Sequence, residues 1–114
     1  MIVRGAMGAA ATADVQSLQR DALYSTVHGA GRVMSRTQAA GKRNRRTGVT
    51  LRPGLVSPEM MQSWVTEKGV VLRGGGLDES PHAYRRLPEV LAAQEGTIEI
   101  LDVLKPLIVV MAGT

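Results

Sequence analysis

The sequence has no cysteine and no phenylalanine, and its only aromatic residues are Trp64, Tyr24 and Tyr84. Without cysteine there is no disulfide framework, no cysteine-ligated zinc and no cysteine nucleophile. Aromatic side chains bury the largest area per residue, so a core must be assembled from Val, Leu, Ile, Met and Ala. No apolar run approaches the ~20 residues of a membrane span. The start, Met1-Ile2-Val3-Arg4-Gly5-Ala6-Met7, lacks the charged segment and apolar run of a signal peptide. A soluble, cytoplasmic protein is the expectation. One further absence is local: no acidic residue occurs between Ala22 and Pro58.

What fills that acid-free stretch is basic. It holds Arg32, Arg36, Lys42, Arg43, Arg45, Arg46 and Arg52, half of the 14 Lys and Arg in the chain. The formal net charge is +4 and the pI about 10.1. Such a segment is either a solvated basic loop or a surface for phosphates. The 114 residues suit one small domain or a piece of a larger one. A chain of this size buries roughly 65% of its unfolded surface.

The pattern of apolar and turn residues predicts short elements. Residues 1–13 read as a strand end running into a glycine loop. Asp14 to Tyr24 is expected to be a short helix capped by Asp14, with Val15, Leu18, Ala22 and Leu23 along one side. Val33 to Ala40 reads as helical until Gly41. Lys42 to Gly54, with Gly48 and Pro53, reads as a basic loop or irregular extended segment. Ser57-Pro58-Glu59 is a helix start: a capping hydroxyl, a proline at the first position and an acid in the first turn. That helix carries Met60, Met61, Trp64 and Val65 inward and stops at Gly69. Val70 to Leu72 is expected as a strand, Gly74-Gly75-Gly76 as a turn, His82 to Arg86 as a helical turn and Leu87 to Gln94 as a helix. Thr97 to Val103 alternates as a strand does, and Leu107 to Val110 reads as a buried one. The fold class is α+β.

His28 is the residue with chemical promise. Gly29 and Gly31 allow close backbone approach to a ligand, and Arg32 supplies a cation. Amides freed in such a loop can hold a phosphate, and a helix beginning at Val33 would add its positive end. A neutral imidazole beside a held phosphate can attack phosphorus and form a phosphoramidate. A histidine that only contacts phosphate, or one that binds metal, fits the same residues.

The string Thr26-Val27-His28-Gly29-Ala30-Gly31-Arg32-Val33-Met34-Ser35-Arg36 resembles the His-Gly-Ala-Gly-Arg, then Ser-Arg, signature of the RtcB family of RNA-splicing ligases. Arg4-Gly5-Ala6-Met7-Gly8 is similar to that family's Pro-Gly-Ser-Met-Gly loop. Asp78-Glu79-Ser80-Pro81-His82-Ala83-Tyr84-Arg85 resembles its Asp-Glu-Ala-Pro-x-Ala-Tyr-Lys segment, and Lys105-Pro106-Leu107 through Val110 its closing Arg-Pro-Ile-Gly-Val-Val. The chain therefore resembles the C-terminal, guanylate-binding segment of such an enzyme across residues 1–114. The resemblance implies an RtcB-like arrangement of short helices and strands around a glycine-rich nucleotide loop.

The resemblance also implies a reaction. RNA ending in a 3′-phosphate or 2′,3′-cyclic phosphate is joined to RNA with a 5′-hydroxyl, using GTP and manganese. His28 matches the histidine that becomes guanylylated. Gly29, Ala30, Gly31, Arg4, Gly5, Ala6, Met7 and Tyr84 match positions around the nucleotide. Arg32, Arg36, Lys42, Arg43, Arg45 and Arg46 are candidate RNA contacts. Arg4 stands where the family has Pro, Ala6 where it has Ser, and Met111 where a lysine often contacts guanine. The metal ligands of the family lie upstream of this region, and this chain has only His28 and His82. Manganese wants several oxygen and nitrogen ligands in a shaped site, so no metal residue is assigned and an upstream ligase segment is an expected partner.

Other residues take structural readings. Asp78-Glu79 reads as helix capping, because adjacent side chains at a helix start point apart. Gly74-Gly75-Gly76 lacks the Lys-Ser/Thr of a P-loop. His82 reads as a surface residue, and Met60, Met61 and Trp64 as core. Beside the ligase reading stand a non-catalytic RNA- or nucleotide-binding module and a truncated remnant or split-ligase subunit.

Overall fold

The computed structural model describes residues 1–112 and forms short helices interleaved with short strands. The elements run β1 (Ile2–Gly5), α1 (Ala13–Asp21), α2 (Arg36–Ala40), β2 (Gly41–Arg43), β3 (Thr50–Pro53), α3 (Pro58–Lys68), β4 (Val71–Arg73), α4 (Leu87–Ala93), β5 (Ile98–Asp102) and β6 (Ile108–Val110). The expected α+β class is what the chain adopts. Three two-stranded sheets are present among the described residues: β1–β5, β2–β3 and β4–β6. The closing residues Gly113 and Thr114 lie outside the described residues. No helix among those described is long and apolar enough to cross a membrane. The chain divides into two compact units, one of residues 1–30 with 86–105 and one of residues 31–85 with 106–114.

In the first unit β1 pairs antiparallel with β5, Arg4 opposite Glu99 and Gly5 opposite Ile98. Helix α1 is capped two residues earlier than expected. Thr12, not Asp14, caps it, its Oγ1 accepting from the Val15 amide at 3.3 Å. It ends at Asp21 because Leu23 and Tyr24 take left-handed backbone angles, φ 55° and 54°. The side-chain amide of Gln19 on α1 donates to the carbonyls of Ala6 and Thr97, tying the helix to the ends of the strand pair. The apolar stripe expected on α1 is shallow: no residue of the helix is buried.

In the second unit Ser35 caps α2 in a reciprocal box with Gln38. The helix expected from Val33 therefore starts at Arg36. Val33 is outside it because its amide bonds the Ala83 carbonyl at 3.0 Å. The basic segment after it is the extended alternative of the expectation rather than the loop, and it is paired. It is a β-hairpin, with Gly41 opposite Pro53 and Lys42 opposite Arg52. Helix α3 has the predicted start, with Ser57 Oγ accepting from the Met60 amide, and closes at Gly69. Strands β4 and β6 run parallel, Leu72 opposite Val109.

The core of this unit is small. Ala39, Val56 and Ala83 are buried, with Met34, Leu77 and Tyr84 packed against them. Two expectations about the core fail. Met60 is 40% exposed, and Met61 and Trp64 are only half-buried. Leu107, Ile108 and Val110 are also exposed, so the apolar run at β6 is not a buried strand. Periodicity marks which face of an element is apolar; it does not supply the layer that would cover it.

Candidate functional site

In the first unit the backbone places Arg4 and Gly5 on β1 and runs through Ala6 and an extended Met7 into a 3-10 turn at Gly8–Ala10. Ala6 is buried, and its amide donates to the Thr97 carbonyl at 2.9 Å. Glu99, opposite on β5, organises this stretch. Its Oε2 accepts from Arg4 Nε at 2.8 Å, and its Oε1 lies 3.4 Å from the donating Met7 amide. The Arg4 guanidinium first, and the Met7 amide second, hold the Glu99 carboxyl below the usual range for glutamate. Arg4 stands where a proline was expected from the family loop, and it is this arginine that pins the stretch to β5. No local pattern marks Glu99 as the partner, since the pair is 95 residues apart.

His28 follows the strained pair Leu23 and Tyr24. It sits on a bend with Gly29, and both are exposed. Among the described residues no side-chain hydrogen bond engages the His28 ring, in contrast to His82. A methyl group added at Gly29 would meet no atom within 4 Å. Approach to this bend is thus open. Ala30 is half-buried.

Gly31, Arg32 and Tyr84 belong to the second unit, where they form a dense polar cluster. Gly31 has φ +80°, a conformation that a side chain disfavours, and its carbonyl accepts from the Arg85 amide at 2.8 Å. Arg32 makes a β-bridge to Tyr84. Its guanidinium donates to the carbonyls of Met34 and Asp78 at 3.0 and 2.6 Å and to the Tyr84 hydroxyl at 3.1 Å. It also lies 4.9 Å from the centre of the Tyr84 ring, within cation–π range. The Tyr84 hydroxyl in turn donates to Glu79 Oε2 at 2.6 Å.

Arg36 completes the cluster from α2. Its Nη1 donates to Asp78 Oδ2 at 2.8 Å and to Glu79 Oε1. Asp78 and Glu79 are therefore not caps; neither side chain caps the short 3-10 turn they sit in. Their carboxylates converge on one guanidinium. The Tyr84 hydroxyl, and then Arg36, hold the Glu79 carboxyl below its ordinary range. The same bond, seen from the phenol, raises Tyr84 above its ordinary value, with burial adding to it. His82 is not a free surface residue either. It is half-buried, with Nδ1 2.8 Å from Oγ of the fully buried Ser80.

The structure thus gathers Arg4, Gly5, Ala6 and Met7 about Glu99, and Arg32, Arg36 and Tyr84 about Glu79. Lys42, Arg43, Arg45 and Arg46 belong to neither set and are exposed on the hairpin. For manganese the donor set is wanting: among the described residues no group of three or more His, Cys, Asp or Glu could hold a metal ion. These residues do not fit a manganese site.

Comparison with known proteins gives a consistent set. The family model described as tRNA-splicing ligase RtcB matches residues 1–112. The RNA-splicing ligases RtcB of Mycobacterium bovis (strain ATCC BAA-935 / AF2122/97) and Mycobacterium tuberculosis (strain ATCC 25618 / H37Rv) are each 34% identical to it over 97 residues. That alignment covers 82% of this chain and 19% of either relative, so the chain spans about a fifth of the length of the curated relatives it matches. No solved structure matches.

Proposed function

The chain belongs to the RtcB family, and on that premise we propose that it serves GTP-dependent RNA ligation through His28. RNA ending in a 3′-phosphate or 2′,3′-cyclic phosphate is joined to a 5′-hydroxyl end. The observation that carries this reading is the state of His28: exposed, on a bend with open space at Gly29, with no hydrogen bond to its ring among the described residues. A free imidazole on an accessible turn is what an attack on phosphorus requires.

In this reading a nitrogen of His28 attacks the α-phosphorus of GTP. An N–P bond forms, the P–O bond to the β-phosphate breaks, and pyrophosphate leaves. Water first opens a 2′,3′-cyclic end, adding to phosphorus as the P–O bond to the 2′-oxygen breaks; the resulting 3′-phosphate takes the guanylyl group from His28, and the 5′-hydroxyl displaces GMP. Gly29, Ala30 and Gly31 keep the backbone low beside the nucleotide. In the first unit Arg4 to Met7, held by Glu99, are the proposed nucleotide contacts; for Tyr84, held by Glu79 in the second unit, the same role rests on the family pattern alone. The proposal keeps the cytoplasmic setting expected from the sequence.

The missing manganese donors favour one specific form of this reading. In that form an upstream ligase segment would hold the metal, and no step here is assigned to it. The test is incubation with α-labelled GTP and manganese, alone and with a separately made upstream segment. An acid-labile adduct that disappears in His28→Ala is the expected result. No adduct in any mixture, with RNA binding intact in His28→Ala, would make the chain a non-catalytic binding module.

A further inference from the structure

The β2–β3 hairpin carries an arrangement that folding alone does not explain. Lys42 and Arg52 are direct cross-strand partners. Residues so paired have Cβ atoms about 5 Å apart, and like charges there destabilise the pairing. Arg43, Arg45 and Arg46 crowd the same hairpin, and all five side chains are exposed. None of the five is in a salt bridge among the described residues; the pairs found belong to Arg4, Arg32 and Arg36. The sequence offers no nearby remedy, because no acid occurs from Ala22 to Pro58.

The hairpin is nevertheless well built. Asn44 forms its turn: Oδ1 accepts from the amides of Arg46 and Thr47, while the Asn44 amide donates to the Val49 carbonyl at 2.8 Å. Gly48 completes the turn at φ +71°. Asn44 is spent on its own backbone and no aromatic residue lies between Gly41 and Gly54. What the hairpin offers a ligand is five exposed cations.

We infer that this hairpin is a clasp for the phosphate backbone of RNA, with one phosphate bridging Lys42 and Arg52 and its neighbours taken by Arg43, Arg45 and Arg46. A phosphate between Lys42 and Arg52 turns a repulsive pair into two attractive ones. The clasp is indifferent to base sequence, since phosphate contacts position a strand without reading it. The choice of RNA among polyanions rests on the ligase reading. Arg52 joins the set, whereas Arg32 and Arg36 leave it, their guanidinium groups being already committed to Tyr84, Asp78 and Glu79.

Fluorescence anisotropy of the full chain with a labelled single-stranded RNA bearing a 3′-phosphate tests this across a salt series. Five phosphate contacts predict a log–log slope of about −3.5, and Lys42→Gln with Arg52→Gln reduces it to about −2.1 and weakens binding roughly tenfold at ~0.2 M salt. Arg52→Glu supplies Lys42 with an internal partner. It is expected to leave thermal unfolding unchanged or raised while RNA binding falls, which separates loss of binding from loss of fold. Arg36→Gln is expected to leave the slope as it was. A slope unchanged in the double variant, an equal fall in Arg36→Gln, or tighter binding to phosphatidylserine vesicles than to RNA would overturn the proposal. These readouts do not involve the His28 adduct, so the clasp and the ligase reading can fail independently.

Discussion

Arg36 and Lys42 are six residues apart, and their surroundings are opposite. Arg36 lies between two carboxylates, one of which also accepts a hydrogen bond from the Tyr84 hydroxyl. Lys42 faces another cation across a strand pair. The first region satisfies its charges within the fold, so its cations hold structure. The second leaves its charges unanswered, so its cations are available to something else. A count of basic residues treats the two alike; the positions of Asp78 and Glu79 separate them.

The sharpest way to break the paired region is from beneath. Val56 is 2% exposed and belongs to the small cluster with Ala39 and Ala83 on which Tyr84 packs. Val56→Ala removes two methyl groups from a core with few others, and about 2 kcal/mol of stability should go with them. Thermal or urea unfolding measures it. Near-UV circular dichroism should report a looser Tyr84 in the same variant, while RNA binding by the hairpin keeps its salt slope. A change in that slope would show that the two regions are not independent.

Removing the Tyr84 hydroxyl is a smaller lesion. Tyr84→Phe keeps the ring beside Arg32 but leaves Glu79 without one donor, a smaller loss of stability than that of Val56→Ala. Its signature is in the pH dependence. The folded Glu79 carboxyl titrates below its ordinary value, chiefly because the Tyr84 hydroxyl donates to it. That stabilisation is fully present above the unfolded glutamate value of about 4.3 and is lost as the pH falls through the lower folded value. Acid unfolding of Tyr84→Phe should therefore be shallower in that window. The Tyr84 phenol, raised by the same bond, contributes stability below pH ~10 that is lost at higher pH, and the variant should lack that alkaline limb too. Equal pH profiles for the two proteins would show that the bond contributes nothing in solution.

The signals legible in the sequence were local ones. Ser57-Pro58-Glu59 starts a helix because a cap needs only its own neighbours. The signature at His28 is likewise contiguous. The readings that failed needed partners far along the chain. Asp78 and Glu79 look like caps until Arg36, over 40 residues away, is brought between them. Lys42 to Gly54 looks like a loop because charge and glycine hide its pairing, and Asn44 announces the turn only once the strands are known. Trp64 and the β6 residues look buried because an apolar pattern predicts a face to be covered, while the described residues provide little to cover it. At the end of β1, Arg4 reads as a departure from the family pattern until Glu99 appears opposite it.

Salt should divide the two regions most finely. Raising ionic strength from about 0.05 to 0.5 M shortens the screening length from roughly 14 to 4 Å. Screening weakens the Arg36 pairs, whose guanidinium is largely exposed, so the amide of Ser80, next to Glu79, should exchange its hydrogen faster. The hairpin responds in the other direction. Its own strand pairing is opposed by Lys42 against Arg52, and salt relieves that opposition. The Asn44 amide, bonded to the Val49 carbonyl, should exchange more slowly by a factor of about two, as expected for a cross-strand charge pair of a few tenths of a kcal/mol. In Arg52→Glu the sign should reverse at Asn44, since salt then screens an attraction. If Asn44 and Ser80 respond to salt in the same direction, the cations of the hairpin are not uncompensated in solution, and the contrast between the regions fails at its smallest and most direct measure.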